Sequence, residues 1–230
     1  KNYGEASKHL QLANENKLTV KPSNANLFQQ EIRSNLSSST PSTTTPIATE
    51  NGKGRIFIVG MPRSGSTLLE TLLSMIPEIK DLGESNSLPN AIKKIQEQKK
   101  YNSDYEHLDE IYSQMEPIDS PGCKYTTDKN LINFIYSNYI AIHMPEAKII
   151  HCRRNPMDNI LSMYRSNLIT GHNYTASLED SARILIAQEQ AMQTQKKRHP
   201  EKIFTFDYDK FVNAPEVNLS KILDWLGLEF

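Results

Sequence analysis

The sequence predicts a three-layer α/β domain, with a central parallel sheet flanked by helices, preceded by an N-terminal helical appendage. Three observations carry that prediction. From residue 54 onward, short β-branched or aromatic runs alternate with longer helix-forming stretches. The first run, "IFIV", stops at a glycine, passes through "GMPRSGST" and resumes with helix formers, which is the strand–loop–helix order of a P-loop-type phosphate-binding turn. Ahead of it lies "SNLSSSTPSTTTPIATE", too poor in apolar side chains to offset its own ordering entropy.

Taken in order, "KNYGEASKHLQLANENKL" places Tyr3, Ala6, His9, Leu10 and Ala13 at helical spacing and predicts an amphipathic helix. Its pattern resembles the closing helix of a tetratricopeptide repeat, and a lone helix packed on the domain fits it as well. The N-terminal helical segment is assigned to 1–33, the linker to 34–53 and the main domain to 54–230. Strands are expected at 56–59, 79–82, 123–126, 147–152 and 203–206. Helices are expected at 67–75, 86–100, 105–115, 129–143, 156–170, 177–198 and 216–227. Strands alternating with helices in this way argue for a parallel sheet covered on both faces.

Composition narrows the function. The chain of 230 residues is long enough for one domain with a substantial core. Its 26 basic and 27 acidic side chains leave a net charge of −1, so no global field recruits nucleic acid and any anion site must be local. No run approaches the roughly 18 to 20 apolar residues of a membrane span, and a cytoplasmic location is the expectation. Cys123 and Cys152 sit in or beside apolar runs and read as buried free thiols. The histidines lack metal-ligand spacing with Cys or carboxylates, so no metal is expected.

Gly60 and Gly65 stand five apart, as in the GxxxxGK pattern of nucleotide triphosphatases, but Ser66 occupies the lysine position. Ser64, Gly65, Ser66 and Thr67 still aim amides and hydroxyls at an anion, aided by the positive end of the helix they open. Arg63 offers a charged fork instead of the lysine. "PRSGSTLLE" resembles the 5′-phosphosulfate loop of sulfotransferases that use 3′-phosphoadenosine 5′-phosphosulfate (PAPS), particularly the protein-tyrosine sulfotransferases and their tetratricopeptide-linked relatives. The resemblance covers roughly residues 54 to 230. It implies a donor without a triphosphate tail, transfer without a metal, and 3′-phosphoadenosine 5′-phosphate (PAP) as product.

That resemblance also assigns roles. Arg154 and Ser162, eight residues apart, match the family's 3′-phosphate pair, with Arg153 expected to point elsewhere. Asn155 and Pro156 read as the cap and first residue of the helix between them. Glu84 follows Gly83 at a strand end, where the tyrosine sulfotransferase-like proteins place their general base. A surface carboxylate near a helix start fits it too. Lys129, in "TDKNLINF", is expected to stabilise the leaving phosphate oxygen or the sulfuryl group, with Arg63 and the loop amides also holding the phosphosulfate. Tyr208 is expected against the nucleotide, and Asp207 as a strand end. The family continues past "LGL" with a donor-covering segment, so the chain is expected to be truncated, with a weakly active or inactive fragment as one outcome. The acceptor is a hydroxyl, on protein tyrosine or a small molecule. Two other readings stand beside the transferase: a non-catalytic binding module on the same fold, and a nucleotide kinase with a degenerate loop.

Overall fold

The computed structural model describes residues 2–37, 50–98, 105–118, 121–168 and 171–228. Five strands, β1 (Arg55–Gly60), β2 (Ile79–Asp81), β3 (Tyr125–Asp128), β4 (Lys148–Arg153) and β5 (Ile203–Asp207), form one sheet in the order β2-β3-β1-β4-β5. Every pairing is parallel. β1 lies at the centre and is buried along its whole length, so it reads as a continuous apolar run instead of an alternating one. Chain order reverses direction about β1, which puts the crevice for ligands at the carboxyl end of that strand.

Period-two alternation divides the core. Phe57, Val59, Ile149 and Ile203 face one layer, formed with α2 (Ala25–Ser37), α4 (Ser87–Gln98), α5 (Leu108–Met115), α6 (Ser137–His143) and α8 (Leu178–Arg198). Ile56, Ile58, Ile150, Cys152 and Phe206 face the other, covered by α3 (Ser66–Leu73), α9 (Tyr208–Asn213) and α10 (Pro215–Leu226). The remaining helices are α1 (Tyr3–Val20) and α7 (Pro156–Arg165).

Several boundaries move for identifiable reasons. β3 begins and ends two residues later than the apolar pattern implies, because its polar side chains find buried partners: Arg55 Nη1 donates to Thr126 Oγ1 at 3.2 Å, and the Tyr112 hydroxyl donates to Asp128 at 3.0 Å. The stretch expected as one helix over 129–143 divides into a 3-10 turn, Leu131–Tyr136, and α6. The helix after β4 ends at Arg165, five residues short. A short helix, α9, stands where no element is expected, begun by Asp207 accepting from the Lys210 N–H. Lys21-Pro22 breaks the N-terminal segment into two helices. The second sends Ala25, Phe28 and Ile32 into the same buried cluster as β1. Most of the Ser/Thr/Pro-rich linker lies outside the described residues. Its end, at Gly52, is left-handed and so close to Ala147 and Met144 that an added Cβ would overlap both. Both cysteines are free; Cys152 is buried, whereas Cys123 is only half-buried.

Candidate active site

The loop after β1 is shaped by its backbone. Gly60 has φ 149°, and a Cβ there would lie 2.4 Å from the Cys152 carbonyl oxygen across the sheet. Arg63 adopts φ 69°, left-handed for a residue with a side chain, at a cost of about 1–3 kcal/mol. Gly65, φ 90°, is the N-cap of α3 and supplies no capping side chain, which leaves the first amides of that helix directed at the crevice. From below, buried Asn159 on α7 holds the loop by donating to the Pro62 carbonyl at 2.8 Å.

A cavity of about 220 Å³ opens on this turn, lined by Arg63, Gly65, Ser66, Thr67, Leu68, Arg154 and Tyr208. Arg154 lies over the Tyr208 ring, 5.0 Å from its centroid, and its Nε is buried with no hydrogen-bond partner among the described residues. The Tyr208 ring packs against Gly65: a Cβ at that position would lie 2.4 Å from a ring carbon. Ser162 adjoins through Arg63, whose Nε donates to its Oγ at 3.2 Å, so the serine's recorded partner is Arg63. Ser64 is fully buried beneath the loop and does not line the cavity. Arg153 and Arg154 both border a wider groove of about 840 Å³ with Lys210 and Lys221, but only Arg154 reaches the small cavity. Between them and α7, Asn155 accepts from the N–H groups of Met157 and Asp158, with Pro156 at the first helical position.

Glu84 borders a second cavity, whereas Lys129, its ion-pair partner, lines neither that cavity nor the one at the phosphate loop. Lys129 is buried, and its Nζ donates to Glu84 Oε1 at 3.0 Å; Glu70 Oε2 is 3.7 Å from the same nitrogen. Glu84 itself is open to solvent, with 75% of its side chain exposed. The main chains are tied as well, by the Lys129 N–H to the Gly83 carbonyl and Asn130 Nδ2 to the Ser85 carbonyl, both 2.8 Å. Burial pushes the Glu70 carboxyl above its usual range, against the pull of Lys129 and a hydrogen bond from the Gly83 N–H. Asp128 is raised to about 7 by burial, opposed by hydrogen bonds from the Asn130 N–H and the Tyr112 hydroxyl. It serves as a buried anchor for the turn that carries Lys129.

A cavity of about 350 Å³ beside Glu84 is bordered by Pro62 at the start of the phosphate loop and by Asn130, Leu131, Ile132, Asn167, Leu168 and His172. Burial lowers the His172 pKa, with Glu84 pulling the other way. Glu70, Asn159 and His172 are the participants that motif reading misses. Glu70 carries one legible signal, a carboxylate inside the apolar helix "STLLETLL". His172 carries none. Among the described residues, no cluster of three or more His, Cys, Asp or Glu is placed to hold a metal, and no helix is long and apolar enough to cross a membrane.

Comparison with known proteins follows the same outline. Residues 55–230 match the family model described as the sulfotransferase family. An uncharacterized protein of Aquifex aeolicus (strain VF5) is 28% identical in an alignment 215 residues long, which covers 80% of this chain and 28% of that protein. The chain therefore spans little more than a quarter of this relative's length. Among solved structures, the sulfotransferase domain from the curacin biosynthetic pathway superposes with a TM-score of 0.53 at 17% identity, over 80% of this chain and 76% of the other. The sulfotransferase domain from the Synechococcus PCC 7002 olefin synthase gives 0.53 at 20% identity, over 81% and 78%. These two share the fold. All five strands and the loop between β1 and α3 lie within the matched residues, and this chain belongs to the sulfotransferase family.

Proposed function

We propose that the chain transfers a sulfuryl group from PAPS to an acceptor hydroxyl, with Glu84 as the general base. The observation that carries the reading is the convergence of two arginines from different elements, Arg63 and Arg154, on one small cavity at the uncapped start of α3. A phosphate-binding turn without its lysine leaves a triphosphate tail poorly held, whereas two guanidinium groups suit a nucleotide with phosphate at both ends. The donor fits the residues present: among the described residues, the buried Arg154 Nε at this cavity has no hydrogen-bond partner.

In this reading Arg63, the α3 amides, Ser66 and Thr67 hold the 5′-phosphosulfate, while Arg154 holds the 3′-phosphate. Ser162 keeps Arg63 in place, and Tyr208 backs both the loop and Arg154. The acceptor, a phenolic or alkyl hydroxyl with protein tyrosine among the candidates, enters the cavity beside Glu84. Its oxygen attacks sulfur as the bond from sulfur to the phosphate oxygen breaks; the proton passes to Glu84 and PAP departs. Lys129, held between Glu70 and Glu84, is the cation available for charge growing on the leaving oxygen.

Calorimetric titration with PAP in the absence of magnesium, with ATP as comparator, tests the donor half. PAP should bind more tightly than ATP, and Arg154→Ala should weaken it by about tenfold to a hundredfold, the worth of a charged hydrogen-bonded contact. Glu84→Gln should keep PAP binding and lose turnover. ATP binding preferred over PAP, with a magnesium requirement, would instead favour the kinase reading.

A further inference from the structure

The N-terminal helices lie outside the family match, which begins at residue 55, and line no part of the cavity assigned above to the acceptor, yet they bond to the segments that form one of its walls. One wall of that cavity is formed by Asn167, Leu168 and His172. Lys17 Nζ donates to the Leu168 carbonyl at 2.6 Å, and Asn14 Nδ2 to the Tyr164 carbonyl at 3.0 Å. At the corner between α1 and α2, Asn24 is bonded at both ends of its amide. Its Nδ2 donates to the Gly171 carbonyl at 3.0 Å, and its Oδ1 accepts the Tyr174 N–H at 3.1 Å. Asn173 returns a bond to the Pro22 carbonyl. Phe28 then stacks on Tyr174, whose hydroxyl lies 3.3 Å from His172 Nδ1.

The chemistry of α1 is unusual for a packed helix. Its one buried residue is Asn14, a polar side chain, so little apolar area holds it to the domain. Its recorded bonds to the rest of the protein end on the backbone of the wall. Lys17 gives its ammonium to a carbonyl, and burial with the nearby Lys21 holds its pKa below the usual range. Such a partner binds a cation less strongly than a carboxylate does, but it fixes where the backbone lies.

We propose that α1 and the corner after it are the scaffold of the acceptor wall, with Lys17 and Asn24 as positioning residues that set Leu168 and His172. The inference rests on the reading that this cavity takes the acceptor. Loss of the ties should loosen the wall and leave the phosphate loop, which none of them touches, as it is.

The test uses the full chain and the Lys17→Met/Asn24→Ala double variant. Hydrogen exchange followed by mass spectrometry should quicken about tenfold or more over residues 164–168 and 171–176 and stay unchanged over 60–67. PAP affinity by calorimetry should hold within about twofold, while the KM for p-nitrophenol with PAPS rises more than kcat falls. Lys17→Arg in place of Lys17→Met should restore part of the KM. Unchanged exchange in the wall would overturn the proposal. So would exchange and PAP affinity failing together, since that marks general support of the fold. If the unmodified chain binds no PAP and transfers nothing, the sulfotransferase reading falls, and the exchange measurement still decides whether α1 holds the wall.

Discussion

At Gly65 two constraints meet, a left-handed φ of 90° and the Tyr208 ring packed against the position. Gly65→Ala should cost about 1–3 kcal/mol of stability from the backbone alone. It should also push Tyr208 off Arg154, so PAP affinity falls by about tenfold or more, read by calorimetry beside a urea titration. Asp128 sets a pH dependence. Its folded pKa of about 7 lies above the ordinary aspartate value of 3.8, so between those values the folded state holds a proton that the unfolded chain has released. Stability from this group therefore rises as pH falls from 7 toward 4 and is lost as pH climbs through 7. Urea midpoints across that range should show the wild-type chain gaining on Asp128→Asn toward low pH. A difference between them that does not move with pH would contradict the assignment.

Among elements, α2 is the one that composition undervalues. Most of its side chains are exposed, but Phe28 is buried between Tyr174 and Phe134, with ring centroids 5.8 and 6.0 Å away. Phe28→Ala should destabilise the chain by about 3–5 kcal/mol, through lost transfer energy and the cavity left behind. A lowered urea midpoint at unchanged slope would show it. A loss below about 1 kcal/mol would mean that α2 is a loosely held appendage. The short α9 does local work: it starts at the capping residue Asp207 and brings Tyr208 against Gly65 at the moment the chain leaves β5.

For the whole molecule, the sheet order places β1 between β3 and β4, so the phosphate loop, the Lys129 turn and the Arg154 corner all emerge at one edge. Donor binding should therefore stabilise the entire domain, not one loop. At a hundredfold excess over its dissociation constant, PAP should add about 2.7 kcal/mol to the unfolding free energy. The gain should appear in a thermal melt without magnesium and shrink in Arg154→Ala. A melt that PAP leaves unmoved would remove the donor site.

The local code of this sequence was enough for the sheet domain and for half of the site. "IFIV", "KIIHC" and the spacing of Gly60 and Gly65 are periodic or conformational signals, carried by neighbours in the chain, and the same holds for the Asn155-Pro156 helix start. Arg63, Arg154 and Tyr208 each sit at the carboxyl end of a strand, where a doubly wound sheet gathers its loops; Arg63 was legible from the loop that carries it, and Arg154 and Tyr208 were legible from the family resemblance. Glu70, Asn159, His172 and the ties from Lys17 and Asn24 were not, because their partners lie far away in sequence and a hydrogen bond leaves no periodic trace. β3 shows the same limit from the opposite side: Thr126 and Asp128 look exposed until Arg55 and Tyr112 arrive from other elements to satisfy them. Backbone propensity and apolar spacing determine which segments become strands, helices and turns. Which polar groups are buried together, and therefore what the cavities hold in place, is decided only when the tertiary structure removes water from between them.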